Sequence, residues 1–200
     1  MSRLSAEERA KQILQAATEV FAQFNYQSAT TSEIARHAQI SETLIYHHYE
    51  SKKDLFLAIL KTVSEKIIHR WDHICRQFPS SLDRLWNIGI SYIREQRTHP
   101  NELKVLFQAV SEVKDPNVQA VLQQTYRSYV AYLEQIIREG QQLGEILESI
   151  DARRTAWELV GSGATNSLFF ILGLEEWTLE DQADRLKNLL RQIAKHPLLW

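Results

Sequence analysis

Two capped segments, each too short to fold alone, lie between two long amphipathic ones, and this arrangement limits the fold more than composition does. Thr30-Thr31-Ser32-Glu33 has the form of a capping box: the Thr30 hydroxyl serves a backbone N–H three residues on, and Glu33 reaches back. It opens a segment that runs through Ala38, with Ile34, Ala35 and Ala38 on one face. Gln39-Ile40 turn the chain, and Ser41 caps a further segment, Glu42 to His48, whose natural core anchor is Ile45. Helices of about two turns are unstable in isolation, so their core must come from a neighbour. The preceding segment, Ala6 to Phe24, supplies one: Ile13, Leu14, Ala17, Val20, Phe21 and Phe24 recur at i, i+3, i+4 spacing.

Helix signals continue to the end of the chain. Ser51-Lys52-Lys53-Asp54 is another cap, and it opens a long helix with Phe56, Ile59, Leu60, Val63, Ile67, Trp71, Ile74 and Phe78 on one stripe, ended by Pro79. Further helices are predicted over Ser80–Thr98, Asn101–Val113, Pro116–Gly140, Ala152–Leu172 and Leu179–Lys195, punctuated by Pro and Gly. With only six Gly, four Pro and no clustered β-branched residues, the expected class is all-α with about nine helices. The boundary between a head, 1–53, and a larger helical body, 54–200, is expected at the start of the long fourth helix. The charged start lacks a secretory h-region, and no apolar run reaches the ~18 residues of a membrane span. A cytoplasmic protein without a membrane partner is expected. The single cysteine, Cys75, excludes an intramolecular disulfide and any multi-Cys zinc site.

A long helix followed by two short ones across a tight turn is the plan of a helix-turn-helix, whose second short helix enters the major groove by its N-terminal residues. Around Ile45, the residues Glu42, Thr43, Tyr46 and His47 are left facing outward. Charge does not announce the function. The whole chain carries a formal net charge of −2. Residues 1–53 balance Arg3, Arg9, Lys11, Arg36, Lys52 and Lys53 against Glu7, Glu8, Glu19, Glu33, Glu42 and Glu50. Such a head must lean on neutral donors as well as cations.

Over about residues 9–56 the chain resembles the tetracycline-repressor-like (TetR) regulators. The likeness is carried by Ile13-Leu14, Ala16-Ala17, Phe21-Ala22, Thr30-Thr31, Ile34-Ala35, Ala38, Ile40-Ser41, Ile45-Tyr46, Tyr49, Ser51-Lys52 and Leu55-Phe56, all at the family's spacing. Asn25 and Gln39 stand where the family usually has glycine, and Thr43-Leu44 replace a common Gly and Thr. The resemblance implies DNA contacts from Thr31, Ser32, Glu42, Thr43, Tyr46, His47, His48, Tyr49 and Lys52. Glu42 and Thr43 would read base edges, and Lys52 would meet a phosphate. It also implies a homodimer on a palindromic operator, repression relieved by a small, largely apolar effector, and no cofactor.

In the body, Trp71, Trp86, Phe107, Tyr126 and Tyr129 lie on the central helices where that family places its effector cavity. The Trp157–Leu172 segment is apolar on two sides and must bury both. Trp157, Val160, Gly161, Ala164 and Leu168, with Leu186, Leu189, Leu190 and Ile193 of the last helix, are the expected dimer interface. His69 and His73 stand at i, i+4 without a matching third ligand, so no metal site is expected. No phosphate loop, nucleophile elbow or metalloprotease motif occurs, so the chain is not expected to be an enzyme. A helical dimeric adaptor without DNA binding is the alternative that the neutral head leaves open.

Overall fold

The computed structural model describes residues 5–198. Among these, nine helices and no named strand occur. They are α1 (Ala6–Ser28), α2 (Thr31–His37), α3 (Glu42–His48), α4 (Lys52–Cys75), α5 (Ser81–Thr98), α6 (Pro100–Ser111), α7 (Pro116–Gln142), α8 (Ala152–Leu172) and α9 (Leu179–Ile193). The chain forms two compact units. The first takes residues through Glu65 together with Asn101–Gln123, and the second takes Lys66–Pro100 and the chain from Gln124 on. The division falls inside α4 and α7, which each contribute to both units.

In the first unit, α1, α2, α3 and the start of α4 close around Ile13, Ala17, Phe21, Ile34, Ile45, Leu55 and Phe56, all buried. Phe21 meets Phe56 edge-on at 5.4 Å, and Tyr26 stacks at a tilt on Phe56 at 4.5 Å. Each short helix begins as its caps require. Thr30 and Glu33 form both halves of the capping box, and the Ser41 hydroxyl accepts from the Leu44 N–H. Ser51 Oγ accepts from the Asp54 N–H at 3.1 Å and donates to its carboxylate at 2.6 Å. Gln12 reaches from α1 to the turn, donating through Nε2 to the Ala38 carbonyl at 2.8 Å. The α6–α7 turn is tied to the same unit by Lys53–Asp115 at 3.2 Å and by Gln27 donating to Glu112 at 2.6 Å.

Phe24 is not the end of α1. The helix kinks at Asn25 (φ 62°, ψ 169°) and continues to Ser28. Asn25 therefore does not adopt the left-handed cap conformation that its side chain suggests. It occupies a region that almost only glycine visits, and its Oδ1 accepts from the Ser28 N–H at 3.0 Å.

In the second unit, α5 packs closely on α9: a Cβ on Gly89 would overlap the Leu186 methyls, so only glycine permits that approach. Leu82, Leu85, Ile88, Val130, Leu133, Ile137, Leu186 and Leu190 form its core. The chain after α7 pairs with the end of α9 through an antiparallel bridge, Ile146 to Ala194. Leu147 donates to the Ile193 carbonyl and Lys195 to that of Glu145, both at 2.9 Å.

Gln39, in the turn between α2 and α3, has φ 56°. A left-handed non-glycine residue costs roughly 1–2 kcal/mol, and glycine gives back about 0.5–1 kcal/mol of that through its freer unfolded chain. Gln39→Gly is therefore expected to stabilise the protein by about 0.5–1 kcal/mol, raising the melting temperature by about 1–4 °C at fixed protein concentration. Thermal denaturation followed by circular dichroism measures this, and an unchanged or lower midpoint would show the turn to be unstrained.

Candidate nucleic-acid interface

The two short helices present one face inward and one outward because only Ile34, Ala35 and Ile45 meet the shared core. On α3, Thr43 and His47 are exposed, and Tyr46 keeps 49% of its surface open despite its large ring. His48 and Tyr49 are half-buried at the helix end. Of the side chains expected at the interface, four form one connected group. Glu42 accepts hydrogen bonds from both hydroxyls that begin α2, from Thr31 at one oxygen and from Ser32 at the other, the latter at 2.6 Å. Tyr46 Oη lies 3.1 Å from Thr31 Oγ1. The hydroxyls of Ser32 and Thr31 hold the Glu42 carboxyl below the usual carboxylate range, so it is ionised at neutral pH. Sequence reasoning placed these residues on one surface but missed that they bind each other. The signal was present: a carboxylate opening α3 faces two hydroxyls opening α2 whenever the helices cross at a tight turn.

Lys52 is placed differently from its expected role. Its ammonium donates to the carbonyls of Tyr26 at 2.9 Å, Ala29 at 3.0 Å and Gln27 at 3.4 Å, and it sits 4.8 Å from the centre of the Tyr26 ring. Three donors meet three carbonyls left by the kinked end of α1, so Lys52 staples α1 to α4 and is not available to a phosphate in this arrangement. The other described lysines and arginines of the head are similarly engaged except Arg36, which is exposed on α2. Arg9 donates to Gln12, Lys11 pairs with Glu7 on α1, and Lys53 with Asp115. Arg3 lies outside the described residues. The exposed face of α3 is built of neutral and imidazole groups.

The body residues divide as well. Trp71 and Tyr129 are buried 5.2 Å apart, Tyr126 lies 6.1 Å from Tyr129, and half-buried Trp86 packs on the same core. Tyr132 joins them, 5.5 Å from Trp71, and donates to Asp72 at 2.7 Å. Phe107 belongs to the first unit. Cys75 is half-buried beside Tyr132, and burial pushes its thiol up. His73 Nε2 meets Gln77 at 2.7 Å. Among the described residues, no three His, Cys, Asp or Glu side chains gather as metal ligands would.

Helix α8 is apolar on the outside and polar within. Its buried residues include Thr155, Ala156, Ser162, Asn166 and Ser167. Ser167 Oγ donates to the Gly163 carbonyl at 3.0 Å and receives Tyr92 at 2.9 Å and Gln96 at 3.2 Å. Burial pushes the Tyr92 hydroxyl up to about 12. Trp157, Leu168 and Leu172 are 45%, 41% and 62% exposed on the opposite side, with Gly161 between them. Val160, Ala164 and Leu189 are half-buried. Leu186, Leu190 and Ile193 do not join this outward face, as they fill the chain's own core. The amphipathic stripe of α9 packs on α5 and, less extensively, on α8, which its periodicity alone did not disclose.

A capped two-helix unit on a three-helix core, with the second helix outward, is a helix-turn-helix, and the class is that of DNA-binding proteins. Residues 13–59 match the family model for bacterial regulatory proteins of the tetR family. The chain is 28% identical over 153 residues to the HTH-type transcriptional regulator YhgD of Bacillus subtilis, covering 76% of this chain and 79% of that one. It is 24% identical over 179 residues to the fatty acid metabolism regulator protein of Bacillus subtilis, covering 90% and 92%. Its fold matches the crystal structure of the transcriptional regulator FadR from Bacillus subtilis in complex with stearoyl-CoA. That match has a TM-score of 0.78 at 20% identity, over 94% of this chain and 99% of the other. Residues 13–59 thus carry the head of the tetR family, and over most of its length the chain is similar to transcriptional regulators.

If Lys52 is a staple, Lys52→Met costs about 1–2 kcal/mol of stability through the orphaned carbonyls, or about 2–8 °C in melting temperature. It leaves the slope of log affinity for DNA against log salt unchanged. A slope shallower by about one per head with unaltered melting would instead identify a phosphate contact.

Proposed function

We propose that this protein is a repressor that binds a palindromic operator as a homodimer and releases it when a small, largely apolar effector occupies the body. The observation that carries the reading is the outward face of α3, where Thr43, Tyr46 and His47 stand free of the core on a family-matched head. Residues 1–53 supply the DNA contacts, and 54–200 supply dimerisation and sensing. Thr31, Ser32, Glu42, Thr43, Tyr46 and His47 are the contact set, with His48 and Tyr49 approaching the backbone. Because Arg9, Lys11, Lys52 and Lys53 are engaged internally and only Arg36 of the described head cations is left exposed, affinity rests largely on neutral donors and base edges. The salt slope is then shallow for a dimer, no steeper than about −5.

Dimerisation through α8 is supported by its reversed polarity. A helix that turns Trp157, Gly161, Leu168 and Leu172 to solvent while burying serines and an asparagine leaves apolar area that a second copy covers. The effector class is supported by the Trp71, Tyr126 and Tyr129 cluster and by the similarity to a fatty acid metabolism regulator. Long-chain acyl compounds are therefore the first to test. Release follows if the effector prefers a state in which the two heads no longer fit successive half-sites.

Sedimentation of the full chain is expected to show a dimer, and Leu168→Glu a monomer with unchanged helix content. A dimeric variant would remove α8 from the interface. Tyr46→Ala is expected to weaken operator binding at least about tenfold without changing the dimer. Wild-type protein that binds no duplex from a genomic pool at low salt would leave the adaptor reading standing.

A further inference from the structure

The direction of the protons in the Thr31–Ser32–Glu42–Tyr46 group constrains which DNA the head accepts. The Thr31 hydroxyl has one proton, and it goes to Glu42. The 3.1 Å contact between Thr31 and Tyr46 must then be donated by Tyr46. Ser32 also donates to Glu42. All three hydroxyl protons therefore point into the group: those of Thr31 and Ser32 end on the Glu42 carboxylate, and that of Tyr46 ends on the Thr31 oxygen. To an approaching duplex the group offers lone pairs and a negative charge, which is the wrong pattern for phosphates.

For Thr31 and Ser32 to serve phosphates, they must leave Glu42. An ionised carboxylate stripped of its donors is costly at a desolvated interface unless another donor replaces them. In the major groove only cytosine N4 and adenine N6 carry amino groups, whereas guanine O6 and N7 and thymine O4 are acceptors. Adenine places its N7 acceptor beside the amino group, where it repels a carboxylate. Cytosine has only a C–H beside N4.

Resting on the reading of the head as DNA-binding, we propose that Glu42 determines specificity by exchange: it gives up the α2 hydroxyls to the phosphate backbone only where the facing base is cytosine. Affinity and specificity are thereby coupled. At a non-cognate base the hydroxyls stay with Glu42, and the head loses backbone donors along with the base contact.

The test begins with the full-length wild type and selection from a random duplex pool. The recovered half-site is expected to contain a C·G pair whose change to T·A costs about ten- to a hundredfold in affinity. Glu42→Gln, folded by circular dichroism, is expected to narrow that preference to within about threefold at this pair alone and to bind non-specific duplex more tightly. Should the variant fold poorly, the wild type is measured on a site whose critical cytosine is replaced by pyrimidin-2-one, which lacks the 4-amino group. A loss of about tenfold or more is expected. An unchanged base preference in Glu42→Gln, or indifference to removal of the amino group, overturns the exchange and leaves Glu42 as a strap between α2 and α3. Wild type that selects no duplex overturns the DNA-binding reading and the exchange with it.

Discussion

Everything outward on the head depends on one burial constraint: α2 and α3 have no core except the one that α1 and α4 lend them. Ile34 and Ile45 are their largest contributions, and both are completely enclosed against Phe21, Leu55 and Phe56. Full burial of each such side chain contributes about 1.5–3 kcal/mol, comparable to the whole cost of holding a two-turn helix in place. Because nearly all apolar area of α3 goes into Ile45, its remaining side chains are free of packing duties. Thr43 and His47 can be chosen for what they meet outside. The same economy explains why the staple at Lys52 matters: it holds the kinked end of α1 at the start of α4, where Phe56 enters the core.

Much of this was legible in the sequence because it is local. Capping boxes and single-residue caps act over three residues, so the starts of α2, α3, α8 and α9 agree with expectation to the residue. The helical class and number follow from the same signals. What the sequence did not disclose is non-local or depends on ψ. Asn25 has positive φ, as a glycine-like position should, but its ψ of 169° carries the helix through a kink and not to an end. Gln39 accepts the strain that the family avoids with glycine. Lys52 looked like a phosphate ligand because its partners are backbone carbonyls, which no side-chain pattern reveals. Leu186, Leu190 and Ile193 form an apolar stripe that fits an interface or a core equally well. Only the close approach allowed by Gly89 distinguishes the two.

The neutral charge of the head has a structural counterpart. Arg9, Lys11, Lys52 and Lys53 each have an internal partner. Exposed pairs such as Lys11–Glu7 add little stability, but they reduce the local positive potential all the same. A head organised in this way gains little from counterion release, the usual sequence-independent source of DNA affinity. Discrimination must then come from groove contacts and from hydroxyls and backbone N–H groups placed accurately by the short helices. Accurate placement is what the Thr31–Ser32–Glu42–Tyr46 group provides, since it locks the first turn of α3 to the first turn of α2.

The body reverses the usual economy. In α8 the interior side carries Ser162, Asn166 and Ser167; Ser167 accepts from Gln96 of α5, and Asn166 accepts from the Trp177 indole. A buried neutral hydrogen bond yields only about 0.5–1.5 kcal/mol net, less than the same positions would contribute as leucines. The outward Trp157, Leu168 and Leu172 meanwhile forgo roughly half of the about 1.5–3 kcal/mol that full burial of each contributes. Such a helix is a poor element for a monomer and a good one for a pair, because association recovers the outer term and the inner hydrogen bonds set its rotation about its own axis. The polar interior thus has a physical use: it prevents α8 from rolling its apolar face inward, which would hide the surface proposed for a twofold partner.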